Sequence, residues 1–250
     1  LEEKDIKIIK IKEIIKNSKN KIIIFAENEF PLLMNANNIE LLQKIIKNDQ
    51  QLIIGATRKE SEKYFNSIFF INKNSYQKFD KKILVPFGEF IPFRNLFNFM
   101  EYIAGNIDFS KGTDVRQIIL NKNFSILPVI CYEIIFYSHL LINNNTNIII
   151  NLTNDSWFGD YLGPYQHFYF SKLRAAEFNK PIIRVSTNGI SALIGRTGTI
   201  NNFIKLNKME IKTIDLINSK ININYLEFHK IFFLFFPLSL FLGLFLNKKI

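Results

Sequence analysis

Apolar and polar positions follow two different rhythms along this chain. After a polar, lysine-rich opening, Ile22 to Phe25 is an unbroken apolar run rich in β-branched residues. That is the pattern of a strand covered on both faces, and it stops at Ala26-Glu27. From Asn38 to Ile46 the spacing becomes helical, with Ile39, Leu42 and Ile46 on one face, and Leu52 to Ile54 predicts a second short strand. Tyr64 to Ile71 and Lys82 to Val85 supply further strands. Residues 90 to 103 crowd Phe93, Leu96, Phe97, Phe99, Met100 and Tyr102 together, but Pro92 and Arg94 break the pattern, which suits a loop or short helix. Val115 to Leu120, Phe124 to Ile130 and Asn147 to Leu152 predict three more strands, and Gly163 to Phe178 a helix. Pro181 to Ser186 and Ser191 to Ile194 form a strand pair across the turn-prone Asn188-Gly189, with Lys208 to Leu216 as the last strand.

This alternation predicts an α/β layered domain over residues 1–217, followed by a linker at 218–228. Residues 229–246 then become dense in Phe and Leu, with Lys230 the single charge, and residues 247–250 carry Lys248 and Lys249. As a helix, this 18-residue stretch would be about 27 Å long, near the lower limit for crossing a bilayer's hydrocarbon core. Pro237 is tolerable inside such a span. A buried core helix is the alternative, but it would ordinarily keep one polar face. By the positive-inside rule the two closing lysines favour a cytoplasmic tail at 247–250, with the α/β domain on the opposite side.

Composition narrows the partners. Of the 250 residues 48% are hydrophobic, enough for a substantial core. The net charge of +10 comes from scattered lysines, with no basic stripe and interleaved aromatics to suggest nucleic acid. Such a surface suits anionic lipid, at about 1 kcal/mol per well-placed lysine. With one cysteine there is no intramolecular disulfide and no cysteine zinc cluster. His139, His167 and His229 lack ligand spacing, so neither a metal nor a cofactor is expected. The chain opens at Leu1 without a basic-then-apolar leader, so we expect it to begin inside a longer polypeptide.

Cys131 ends the apolar strand Phe124 to Ile130 and is followed by Tyr132 and Glu133, an unusual place for a carboxylate unless something polar is organised there. A nucleophilic cysteine needs a base for its proton and a donor for the developing oxyanion. None of the histidines occupies a convincing strand-end position. Glu27, at the end of its own strand, is the better candidate base, and Lys81 could supply the positive charge. Taken singly, a surface charge or an inert core thiol is the commoner fate of each.

Read with their surroundings, these positions resemble a known family. Lys81-Lys82-Ile83-Leu84-Val85-Pro86-Phe87-Gly88-Glu89-Phe90, Ile130-Cys131-Tyr132-Glu133 and Asn151-Leu152-Thr153-Asn154-Asp155-Ser156-Trp157-Phe158-Gly159 are similar to motifs of the nitrilase superfamily and, within it, of the apolipoprotein N-acyltransferase family. Gly163-Pro164-Tyr165-Gln166-His167, Arg174-Ala175-Ala176-Glu177 and Ser186-Thr187-Asn188-Gly189-Ile190-Ser191-Ala192 extend the likeness. One departure is Phe25-Ala26-Glu27, where the family usually has Trp-Pro-Glu.

The resemblance implies a four-layer αββα sandwich followed by a C-terminal transmembrane helix, with further transmembrane helices ahead of the domain. It implies Glu27 as general base, Lys81 as oxyanion stabiliser and Cys131 as nucleophile, supported by Glu89, Tyr132 and Glu133. The implied reaction takes an acyl chain from a membrane phospholipid, typically phosphatidylethanolamine, onto Cys131 and passes it to the N-terminal α-amine of an S-diacylglyceryl-cysteine apolipoprotein. Such an enzyme would sit in a bacterial inner membrane with its catalytic domain on the periplasmic side. Phe93, Phe97, Phe99, Trp157 and Phe158 are then expected to admit lipid, although core packing would serve Trp157 equally well. The rival readings are a carbon-nitrogen hydrolase using the same triad with water as acceptor, and a catalytically dead, membrane-anchored binding module.

Overall fold

The computed structural model describes residues 2–93, 107–122, 124–140 and 145–215. Helix α1 (Glu3–Asn17) turns Ile11 and Ile15 inward, one helical turn apart. Strand β1 (Ile22–Ile24) leads through a loop into helix α2 (Ala36–Ile45), whose start is capped by Asn35, the side chain accepting from Asn38 N at 2.9 Å. Strands β2 (Gln51–Glu60), β3 (Lys63–Asn72) and β4 (Tyr76–Asp80) complete a sheet of order β1-β2-β3-β4, parallel between β1 and β2 and antiparallel elsewhere.

The second sheet contains β5 (Ile118–Asn121), β6 (Phe124–Ile130), β7 (Thr146–Asn154), β8 (Ile182–Thr187), β9 (Ser191–Ile194) and β10 (Ile200–Ile204) in the order β10-β9-β8-β7-β6-β5, with β6, β7 and β8 parallel. Helix α3 (Leu162–Phe178) is the crossover between β7 and β8.

Side-chain alternation sorts these elements into four layers. On β2, Leu52, Ile54 and Ala56 face α1 and α2, whereas Ile53 faces the second sheet; on β3, Phe69 and Ile71 face the helices, whereas Ile68 and Phe70 face inward. Ile126 and Ile130 of β6 and Ile148, Ile150 and Leu152 of β7 meet them in the inter-sheet core. The opposite faces of these strands, with Leu127, Val129 and Ile149, pack on Phe168, Ala175 and Phe178 of α3. The order is therefore helices, sheet, sheet, helix, the layered α/β fold that the motifs implied.

Two predicted strands are not strands. Lys82–Val85 forms a loop because its amides are taken by carboxylates: Glu133 accepts from Lys82 N and Ile83 N at 2.8 and 3.1 Å, and Glu89 accepts from Val85 N at 2.9 Å. The described part of Lys208–Leu216 is irregular, because the chain turns at Asn207 (φ +56°) and leaves Met209 and Ile211 exposed. The last strand is instead β10, whose exposed Asn201 and Asn202 hide it from a hydrophobicity pattern. Helix α1 shows in the sequence only as a polar opening, since lysines outnumber the residues it buries. No helix among the described residues is long and apolar enough to cross a membrane, and residues 229–246 lie outside them.

Candidate active site

Glu27, Lys81 and Cys131 come from three places in sequence and lie together, buried, at the ends of strands. Glu27 follows β1, where Phe25 N donates to Ile53 O at 2.9 Å and Gly55 N donates to Ala26 O at 3.1 Å. The two backbones approach so closely that a Cβ on Gly55 would lie 2.6 Å from the Glu27 Cα, which requires glycine there. Lys81 directly follows β4. Its position is held by its own amide donating to Asn66 O (2.8 Å) and by the neighbouring Asp80, on which Arg58 Nε and Nη2 close a two-pronged pair at 2.8 and 2.6 Å. Cys131 follows β6 and begins a 3₁₀ turn, Cys131–Ile135, with φ at +47°. Such a conformation is strained for a residue with a Cβ and turns the side chain sharply out of the strand direction. The Sγ reaches Asn154 O, at the end of β7, at 3.9 Å.

Lys81 Nζ lies 3.5 Å from Glu27 Oε1 and 2.9 Å from Glu89 Oε1. Asn66 Nδ2 donates to the same two carboxylates at 2.7 and 2.9 Å. Burial works against the Lys81 charge, yet Glu27, Cys131 and Glu89 outweigh it and hold the ammonium above the usual lysine range. Burial and then the Glu27 carboxylate push the Cys131 thiol up to about 12, with Lys81 pulling the other way. Cys131 therefore holds its proton at rest, and any attack by Sγ would require a base to take it. Among the described residues Glu27 Oε2 is buried without a hydrogen-bond partner, which leaves it able to receive a proton.

Glu133 is fully buried and ties the site together. Its carboxylate accepts from Ile130 N (2.9 Å), just before Cys131, and from Lys82 N and Ile83 N, just after Lys81. Arg116 Nη2 and Nη1 neutralise it at 2.7 and 2.8 Å. Tyr132 packs against the inter-sheet core, its ring edge-on to Phe136 at 4.9 Å. Phe93, Trp157 and Phe158 are exposed, Trp157 by 74%, so core packing is not its role; Tyr161, at the start of α3, and Leu162, Tyr165 and Tyr169 on it are exposed as well. Phe97 and Phe99 lie outside the described residues.

Asn66, Arg116 and Arg184 show no sign of a role in the sequence, and Asp155 and His167 show only as members of longer motifs, His167 with neither ligand spacing nor a strand-end position. A buried arginine or aspartate carries no local sequence mark of its own. The available signal was the density of polar residues in 151–156, on a strand otherwise apolar.

This sandwich, with a cysteine, a lysine and glutamates converging at strand ends, is the arrangement of a carbon-nitrogen hydrolase. The carbon-nitrogen hydrolase family model matches residues 11–220, and the chain belongs to that family. Among individual proteins it is similar to the apolipoprotein N-acyltransferases of Rickettsia typhi (37% identity, over 68% of this chain and 36% of that protein) and Allorhizobium ampelinum (37%, over 74% and 38%). It is also similar to that of Wigglesworthia glossinidia brevipalpis (33%, over 96% and 50%). The chain thus spans between about a third and a half of the length of these relatives. Solved structures share the fold: a carbon-nitrogen hydrolase of Helicobacter pylori (TM-score 0.62, 12% identity, 82% of each chain) and a CN-hydrolase superfamily protein of Xanthomonas campestris (TM-score 0.56, 14% identity, 82% of this chain and 81% of that one).

Proposed function

We propose that the chain is the catalytic part of an apolipoprotein N-acyltransferase. It moves an acyl chain from a membrane phospholipid, phosphatidylethanolamine being the donor we assign, onto the N-terminal α-amine of an S-diacylglyceryl-cysteine apolipoprotein. The observation that carries this reading is the buried Glu27-Lys81-Cys131 cluster, in a chain that also exposes a set of aromatic side chains and whose relatives bear that name.

Glu27 Oε2 takes the thiol proton as Cys131 Sγ attacks the ester carbonyl of the donor. Lys81 Nζ, held between two carboxylates, offsets the charge that develops on the carbonyl oxygen. Collapse breaks the ester bond, and Glu27 returns the proton to the departing lysophospholipid oxygen. The Cys131 thioester then meets the amine, whose surplus proton passes to Glu27 and on to the leaving thiol, giving an amide and the free enzyme. This is ping-pong chemistry. Glu89 aligns Lys81, and Glu133 holds the loop after Lys81 against the turn that carries Cys131.

Residues 1–217 form the catalytic domain in this reading and 218–228 a linker. Residues 229–246 cross a bacterial inner membrane with the domain on the periplasmic side and 247–250 in the cytoplasm. Phe93, Phe97, Phe99, Trp157 and Phe158 border the route by which lipid enters. The test is product analysis: membranes containing the protein, given phosphatidylethanolamine and a diacylglyceryl lipopeptide, should yield lysophospholipid and N-acylated lipopeptide in equal amounts. Cys131→Ala should yield neither. Release of free fatty acid with no acylated peptide would assign water as the acceptor and overturn the proposal.

A further inference from the structure

Behind the nucleophile lies a buried polar cluster that the mechanism above does not use. Asp155 follows β7, Arg184 stands on β8, and His167 and Ser171 lie on α3; all four are buried. Arg184 Nη2 donates to Asp155 Oδ2 at 2.6 Å, Nη1 to Asn151 Oδ1 at 2.9 Å and to Ser171 Oγ at 3.2 Å, and Nε to Ile190 O at 3.2 Å. Ser186 Oγ donates to Asp155 Oδ2 at 3.0 Å. The aspartate is therefore fixed from several sides. Its Oδ1 stands 2.8 Å from His167 Nδ1, which fixes the ring, and the far nitrogen Nε2 stands 3.2 Å from the backbone carbonyl oxygen of Cys131.

Nε2 faces a carbonyl oxygen and Nδ1 faces the Asp155 carboxylate, with Arg184 Nη2 3.3 Å away, and a lone pair against either acceptor would be repulsive; the ring that makes both contacts therefore carries a proton on each nitrogen and is paired with Asp155. The carbonyl it meets is that of the strained residue at φ +47°. That carbonyl heads a 3₁₀ turn and is anchored here by a side chain from another element.

We propose that His167 is a positioning residue. Its Nε2–H, oriented by Asp155 and through it by Arg184, holds the Cys131 carbonyl and so keeps the nucleophile in its strained, outward-turned conformation. His167 touches no reacting atom. It acts through the backbone of Cys131, and the inference rests on Cys131 being the nucleophile. The length of the side chain makes this testable, because glutamine places its amide nitrogen where His Nε2 stands and asparagine where Nδ1 stands. His167→Gln can keep the bond to the Cys131 carbonyl; His167→Asn can keep only the contact with Asp155.

The experiment uses the full protein in membranes and compares the two variants by acyl transfer and, independently of any substrate, by the rate of iodoacetamide alkylation at the Cys131 peptide. A misplaced reacting atom costs about 100-fold in rate. His167→Asn should therefore lose about 100-fold in kcat with KM within about twofold, and its alkylation should change in parallel, while His167→Gln retains most of both. Melting temperatures identify variants that have merely lost stability. Equal losses in the two variants, or losses that follow the melting temperature and not the Nε2 donor, would overturn the proposal. If the wild type transfers no acyl group but the alkylation rates keep their order, the acyltransferase reading fails and the positioning role stands.

Discussion

Replacing Arg116 with methionine removes the cation from a fully buried carboxylate. Glu133 loses two charge-assisted bonds, of 2.7 and 2.8 Å, but keeps three amide donors, Lys82 N, Ile83 N and Ile130 N. Breaking one side of a buried pair costs about 3–5 kcal/mol, and the surviving amides place this variant at the low end, about 3 kcal/mol. At roughly 2–4 °C per kcal/mol for a chain of this size, the midpoint should fall by about 6–12 °C. The informative comparison is the double variant Arg116→Met with Glu133→Leu. An ordinary buried ion pair exchanged for apolar side chains recovers its stability. Here the exchange strands three backbone amides, each costing about 1–3 kcal/mol, so the double variant should melt below the single one. Thermal melting in detergent, followed by intrinsic fluorescence at one scan rate, measures both. A double variant as stable as the wild type would refute the reasoning that Glu133 ties the Lys81 loop to the Cys131 turn.

Other changes test separate parts of the account. Gly55→Ala should displace the Glu27 backbone and cut acyl transfer at least about tenfold, because the new Cβ meets only main-chain atoms, which cannot swing aside; unchanged activity would contradict the close approach. Against burial, the His167 contact and the Arg184 charge hold Asp155 down at about 2 instead of 3.8. A depressed carboxylate stabilises the fold fully above pH 3.8 and loses that contribution as pH falls through 2. The protein should therefore lose about 2 kcal/mol on acidification from this group, a loss absent in Asp155→Asn when stability is followed by denaturant titration between pH 5 and 2. Trp157→Ser, at an exposed position, should leave the melting temperature within about 1 °C while slowing acylation by phospholipid more than by a soluble ester; equal slowing would remove its role in lipid access.

How far the sequence could be read depended on where each signal resides. The buried strands announced themselves: Phe124–Ile130 and Ser191–Ile194 were legible to the residue, because continuous apolar runs bounded by polar turns have few other uses. Lys82–Val85 has the same pattern and is a loop, since its amides go to side chains: Glu133, 51 residues beyond Lys82, and the nearby Glu89. Strand β10 and helix α1 were missed for the opposite reason, being short of buried residues. At the site, Glu27, Lys81 and Cys131 were singled out by position at strand ends and by motif, and the fold brings them together. Arg116 and the Asp155-His167-Arg184 cluster were invisible as partners, because their meaning lies in contacts across 12 to 36 residues or across sheets, not in any local pattern.

The most direct test of the central claim is the acyl-enzyme itself. Membranes containing the protein, incubated with phosphatidylethanolamine and no amine acceptor, should accumulate an acyl adduct on the Cys131 peptide that mass spectrometry detects and neutral hydroxylamine removes. The adduct should disappear when diacylglyceryl lipopeptide is added. Its absence from the wild type, or its persistence at another residue in Cys131→Ala, would contradict the account.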